Sequence, residues 1–224
     1  MSRPEPVRSG IAPADRGEDT GGPGTEVDPG ADSGCIVITD VAYAAATSTE
    51  SAVAAAVVAS GWTCAQPQLE LVTEPTPARG YVPGALYERE LPALLDVLAQ
   101  VSARAPGRIH TVVVDGYVWL EAGARRPGLG AHLHAAMGTE VAVVGIAKRH
   151  FRGSDAIPVH RGGSTRPLFV SSAGMDVAVA ARAVADMHGP HRIPTLCRAA
   201  DALCREGLRH RLGSEAERWT RRQR

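Results

Sequence analysis

Two stretches rich in β-branched residues each run into a carboxylate. They are Cys35-Ile36-Val37-Ile38-Thr39-Asp40 and Ile109-His110-Thr111-Val112-Val113-Val114-Asp115. An Asp suits neither a strand interior nor an unpaired burial. If the two strands are neighbours, their carboxylates converge at one end of a sheet. A divalent cation that prefers oxygen ligands, Mg²⁺ or Mn²⁺, would make that convergence tolerable. The competing reading is local: Asp40 opens a turn and Asp115-Gly116 starts a loop. Two more acids can join the pair. Glu90 precedes Leu91-Pro92 in the first turn of an expected helix, and Asp201 sits among alanines on a late one. Either also suits a solvated helix position, and Glu90 suits the helix dipole. One cation stands apart as well, because Lys148 is the only lysine among 24 Lys+Arg.

The elements that must position these groups follow from hydrophobic period. Apolar runs predict strands over 35–43, 52–59, 69–73, 109–116, 141–147 and 167–171. Leu91, Leu94, Leu95, Leu98 and Val101 recur at a helical spacing and predict a helix over 87–103. Further helices are expected over 129–137, 178–187 and 195–208. The Gly61-Trp62 turn joins two strands as a hairpin, and the Pro- and Gly-rich 75–84 marks a loop. Strands come first as a meander and then alternate with helices. That order fits an α/β domain with one mixed sheet whose parallel pairs are joined by helical crossovers.

Composition bounds the rest. A chain of 224 residues with 44% hydrophobic residues can build a core, which excludes wholesale disorder. No apolar run approaches the ~20 residues of a membrane span, and the first 34 residues lack an apolar signal core. Four scattered cysteines argue against a disulfide scaffold. Cys197 and Cys204 read as small core residues, and the Cys and His spacings of structural zinc sites are absent. A soluble, cytoplasmic monomer is the expectation. The net charge of zero is a sum of unlike parts. Residues 1–34 hold seven acids and three Arg and read as a disordered acidic tail; 205–224 hold seven Arg and three Glu. The expected organisation is that tail, a catalytic domain over 35–208 and a basic tail over 209–224. Zero net charge therefore does not exclude a polyanionic partner.

Seven short blocks, in order, resemble the endonuclease V family. They are Thr39-Asp40-Val41; Tyr81-Val82-Pro83-Gly84; Arg89 through Leu94; Val113 through Gly116; Leu129-Gly130 with His134; Val144 through Lys148; and Arg166 through Val170. Arg192-Ile193-Pro194 and Arg198 through Asp201 extend the series. The resemblance implies a ribonuclease-H-like fold and Mg²⁺-dependent nicking of nucleic acid beside deaminated adenine, with Mn²⁺ as a substitute. The cut would fall one nucleotide beyond the lesion on its 3′ side, leaving 3′-hydroxyl and 5′-phosphate ends, as in DNA repair. It implies Asp40 and Asp115 as principal metal ligands and Glu90 and Asp201 as the rest of the acidic cluster. Lys148 matches the family's active-site lysine. Tyr81, with Val82 and Pro83, matches its strand-separating wedge, and Gly116 and His134 match residues that face nucleic acid. The implied partner is DNA, or RNA, containing inosine.

The chain departs from the family at Gly80, Tyr117, Val118 and Gly174, where Pro, His, Gly and His are usual. These departures bear on selectivity for hypoxanthine and keep two alternatives open: altered lesion or RNA specificity, and a nucleic-acid-binding module without turnover. A phosphatase using a strand-end Asp as nucleophile is the third reading. It lacks a phosphate-cradling glycine loop beside Asp40.

Overall fold

The computed structural model describes residues 34–44, 50–78, 86–121 and 126–222, with no side chains for 50, 86 and 212–222. Tyr81, Val82, Pro83, Gly80 and all but the last residue of the acidic tail lie outside the described residues. The elements are β1 Cys35–Ala44, β2 Glu50–Ala59, β3 Leu69–Val72, β4 Thr76–Ala78, α1 Leu86–Arg104, β5 Ile109–Asp115, α2 Leu129–Met137, β6 Ala142–Ala147, β7 Ile157–Val159, β8 Leu168–Ala173, α3 Val177–Asp186 and α4 Thr195–Arg222. The strands form one sheet in the order β3-β2-β1-β5-β6-β8-β7, with β4 also pairing β2. β1, β2 and β3 are an antiparallel meander, whereas β1–β5 and β5–β6 are parallel. The expected mixed sheet is present.

Alternation along each strand divides the core in two. Val37, Ala54, Val112 and Val143 pack with Leu94, Leu98 and Val101 of α1 and Leu133 of α2. Ile36, Ile38, Val113 and Val144 face the other way, onto Ala180 and Val184 of α3 and Leu196 and Ala200 of α4. Because helices cover both faces, the central strands are apolar at nearly every position instead of alternating with polar residues. The alanines that weaken the propensity of β2 have a packing reason. Ala52 through Ala59 are all fully buried, and small side chains let helices approach both faces. Each fully buried Leu of α1 contributes about 2–3 kcal/mol by removal from water.

Three short-range features differ from the sequence reading. β4 forms within the expected 75–84 loop, as an extended piece pinned to β2 by Ser51 opposite Pro77. β7 is an added edge strand on β8. The last helix, expected over 195–208, continues to Arg222. Residues 209–222 contain no Pro and hold five Arg and two Glu, good helix formers. Gly207 within α4 has a packing role, since a Cβ there would fall 2.5 Å from a Val72 methyl. No helix among the described residues is long and apolar enough to cross a membrane.

Candidate active site

The parallel pairing of β1 with β5 runs to Ile38 opposite Val113 and then stops. Two residues further along each strand lie Asp40 and Asp115. Both have the strand parity of Ile38 and Val113 and therefore point toward the α4 face. β1 continues past Asp40 to Ala44, held only by β2, so the two strands part at the acids and open a cleft between them. On the next strand, Asp115 is opposite Ile146, which puts Lys148 two residues beyond with the same parity. The Lys148 ammonium donates to Asp115 Oδ2, with side-chain exposures of 46% and 37%. α4 crosses this end of the sheet and brings Asp201, whose carboxylate accepts from Arg205 one turn later at 2.8 Å. Asp40, Asp115, Lys148, Asp201 and Arg205 line one cleft together with Arg198, Cys197 and Pro194. Glu90 comes from the opposite face on α1 and meets the same group where the cleft continues past Val41, Gly116 and Tyr117.

Four carboxylates from four elements thus meet at one sheet end with one lysine. Glu90 sits one position past the first described turn of α1, beside Tyr43, which shares the α1 face of β1. The Arg89 guanidinium stacks on the Tyr43 ring at 3.7 Å. The Tyr43 hydroxyl is buried near Glu90 without a hydrogen bond of ordinary geometry. Burial and the Glu90 charge both hold that phenol protonated. Asp40 Oδ1 accepts from the Val41 N–H at 2.8 Å.

The electrostatics show a surplus of negative charge. Burial, and then the Asp115 charge, push the Asp40 carboxyl up to about 6 despite the Val41 N–H and Lys148. Burial pushes Glu90 up to about 7, with Asp40 and Asp115 adding to it and Tyr43 and Arg89 opposing it. Burial would lower Lys148, but its bond to Asp115 and the neighbouring carboxylates outweigh it and raise the ammonium. Cys197, on the cleft wall, is pushed up to about 12 by burial and then by Asp115, which keeps it an unreactive thiol.

A divalent cation fits these residues by donor type and by charge. The donors are all carboxylate oxygens, which suit Mg²⁺ or Mn²⁺, and a raised Asp40 and Glu90 mark positive charge in deficit. Among the described residues no group of three or more His, Cys, Asp or Glu is already placed to hold a metal ion. A hard cation that keeps several of its waters needs only one or two direct carboxylates.

This imbalance has a measurable consequence. Asp40 and Glu90 have folded values above their unfolded ones, so folding takes up protons between about pH 4 and 7. Their stabilising effect is complete below that window and lost as pH rises through it. Lys148, raised from an already high value, changes nothing there. In chelator, the thermal midpoint should be lower at pH 8 than at pH 5. Added Mg²⁺ should raise it at pH 8 and far less at pH 5. Equal Mg²⁺ effects at both pH values would contradict a cation held by these acids.

The other expected site residues are distributed unevenly. Gly116 lines the cleft with a φ of +137° and lets the chain turn directly after Asp115. His134 is not with the cluster. Its Nδ1 bonds the Val141 carbonyl at 2.9 Å, at the start of β6, whereas Lys148 follows its end. Seven residues of strand, about 23 Å, separate them. Gly174 lies beside His134, at that same far end. Tyr117, where His is usual in the family, does reach the cleft: its hydroxyl donates to Arg149 O at 2.7 Å and accepts from Phe151 N at 2.9 Å. Arg205 and Tyr43 have no site role in the sequence reading, and Arg192 enters it only within a family block, although Arg205 carries a visible signal, one helical turn after Asp201.

Comparison with known proteins bears on the family and the fold. A family model described as Endonuclease V matches residues 26–188. An endonuclease V of Streptomyces coelicolor is 34% identical over 150 residues, 58% of this chain and 61% of that protein. The chain thus spans less than two thirds of that relative's length. An endonuclease V of Streptomyces avermitilis is 33% identical over 208 residues, covering 81% of this chain and 85% of that one. Among solved structures, Ciona intestinalis endonuclease V in complex with inosine-containing DNA superposes with a TM-score of 0.67 at 19% identity, over 79% of this chain and 87% of that one. At that identity the match speaks to the fold, which is ribonuclease-H-like.

Proposed function

From the premise that this chain belongs to the endonuclease V family, we propose that it is a metal-dependent endonuclease that nicks nucleic acid beside deaminated adenine. The observation that carries the proposal is the sheet-end cluster of Asp40, Glu90, Asp115 and Asp201 with Lys148 at its edge. Binding alone would not favour four carboxylates where an anionic strand must lie, since like charges a few ångströms apart repel. Hydrolysis of a phosphodiester does favour them. A bound Mg²⁺ or Mn²⁺ supplies a neutral-pH nucleophile and neutralises charge on the phosphate oxygens.

The chain's own residues have distinct parts in this proposal. Asp40 and Asp115, side by side on parallel strands, would hold the ion, and Glu90 and Asp201 would complete its surroundings from either face of the sheet. Lys148 places a point charge at the phosphate. Arg205 and Arg198 line the same cleft from α4 and add positive charge along the strand. Gly116 leaves the backbone after Asp115 open to close approach. Tyr81, Val82 and Pro83 are proposed as the wedge on the strength of the family motif. Where relatives carry His, Tyr117 presents a ring whose hydroxyl is already engaged by Arg149 and Phe151. It offers the base a stacking face in place of a ring nitrogen.

The test is a nicking assay on matched strands carrying inosine, uracil, an abasic site or no lesion, each as DNA and as RNA. Inosine strands should be cut in Mg²⁺ with 3′-hydroxyl and 5′-phosphate ends, and chelator should stop the reaction. Equal cutting of all strands would remove lesion selectivity. Salt-sensitive binding of inosine strands without any cutting would leave only the binding module.

A further inference from the structure

Behind the cleft, two arginines join the elements that carry Lys148 and Asp201. Arg161 is buried, with 9% of its surface exposed, and among the described residues it bonds only main-chain carbonyls. Its Nη1 donates to His191 O at 2.9 Å and Arg192 O at 3.4 Å, and its Nη2 to Met187 O and to Gly189 O at 3.3 Å. One guanidinium thus gathers four carbonyls of the 187–192 segment, which offsets the cost of burying its charge. The segment also lies against Gly162, where a Cβ would fall 2.3 Å from the His191 carbonyl carbon.

Held in that way, the segment aims Arg192 back at the sheet. Arg192 Nη2 donates to the carbonyl of Lys148 and to Pro167 O at 2.9 Å, bridging the end of β6 to the start of β8. Three residues later the chain enters α4, with the Thr195 N–H on His188 O at 2.9 Å and its hydroxyl 3.0 Å from His188 Nδ1. α4 then delivers Asp201. Lys148 lies just past the last ladder residue of β6, so no strand pairing fixes its main chain. Both bonds come from Nη2, whose two N–H directions the planar guanidinium fixes, whereas a lysine ammonium rotates freely about its stem.

We propose that Arg192, braced by Arg161, is a positioning residue that holds the main chain at Lys148 and the entry to α4 in one frame. It thereby sets the approach of the Lys148 ammonium to Asp115. The kinetic consequence rests on the endonuclease reading above; the structural one does not.

The chain's single lysine makes the test direct. The full chain, labelled with ¹³C-lysine, should give one Cε resonance, that of Lys148. In Arg192→Ala that resonance should move toward the free-lysine position and broaden. On inosine strands kcat should fall roughly ten- to a hundredfold with KM changed by less than about threefold, as for a displaced catalytic group. Arg192→Gln, which keeps one amide donor, should lie between wild type and Arg192→Ala; it also serves if Arg192→Ala does not fold. A lower thermal midpoint with the lysine resonance in place would reduce Arg192 to a staple and overturn the proposal. So would an unchanged kcat beside wild-type nicking. If the wild type cuts nothing, the endonuclease reading fails, and the resonance alone decides the role of Arg192.

Discussion

Asp40→Asn should reduce Mg²⁺-dependent nicking by about 10³-fold or more while making the metal-free protein more stable at pH 8. The activity loss follows from the position of the carboxylate, beside Asp115 where β1 and β5 part. In the proposed role, removing its charge removes a direct ligand, and ion contributions of several kcal/mol correspond to losses of roughly this size. The stability gain follows from the surplus of negative charge. Burial and Asp115 push the Asp40 carboxyl up to about 6, so at pH 8 the folded protein holds a charge it disfavours. An amide of the same shape still accepts from the Val41 N–H and carries no charge. The gain should be on the order of 1–2 kcal/mol at pH 8, shrink as pH falls through about 6, vanish below about pH 4, and come with a smaller Mg²⁺-induced rise in midpoint. A merely structural Asp40 would lose stability at both ends of that range. Retained nicking in Asp40→Asn would end its assignment as a ligand.

Lys148→Ala should lower kcat by about 10²-fold with a smaller change in KM, the effect of removing one preorganised charge from a developing anion. Binding of uncut strands should weaken, and the salt dependence of that binding should fall by about one ion. Lys148→Arg should not restore the rate. Its guanidinium is larger and planar, and it would pair bidentately with Asp115 where the ammonium makes a single contact. A wild-type rate in Lys148→Ala would return Lys148 to an ordinary surface ion pair, worth under about 1 kcal/mol.

How much of this was legible in the sequence depends on the range of the interaction concerned. α2 falls where its apolar period ends at Gly128 and Gly138, and the central strands fall on their β-branched runs. These are local patterns. β7 and β4 were missed because three-residue strands have no period of their own and exist only against β8 and β2. α4 runs past Leu208 because no Pro follows to end it.

The sequence by itself determined that two strands end in carboxylates, that one lysine stands among arginines, and that the blocks occur in a family's order. Those facts reside in residue identity and spacing. Only the tertiary structure decided that β1 and β5 are parallel neighbours in a register that sets Asp40 beside Asp115. It also decided that Glu90 and Asp201 reach the same cleft from opposite faces of the sheet, and that His134 does not. The reason is physical. A carboxylate's chemistry depends on the charges within a few ångströms of it, and those neighbours come from β1, α1, β5, β6 and α4, brought together by burial of two apolar faces. The same packing sets Arg161 and Arg192 behind Lys148 through carbonyl groups, which every residue possesses and which no sequence pattern distinguishes.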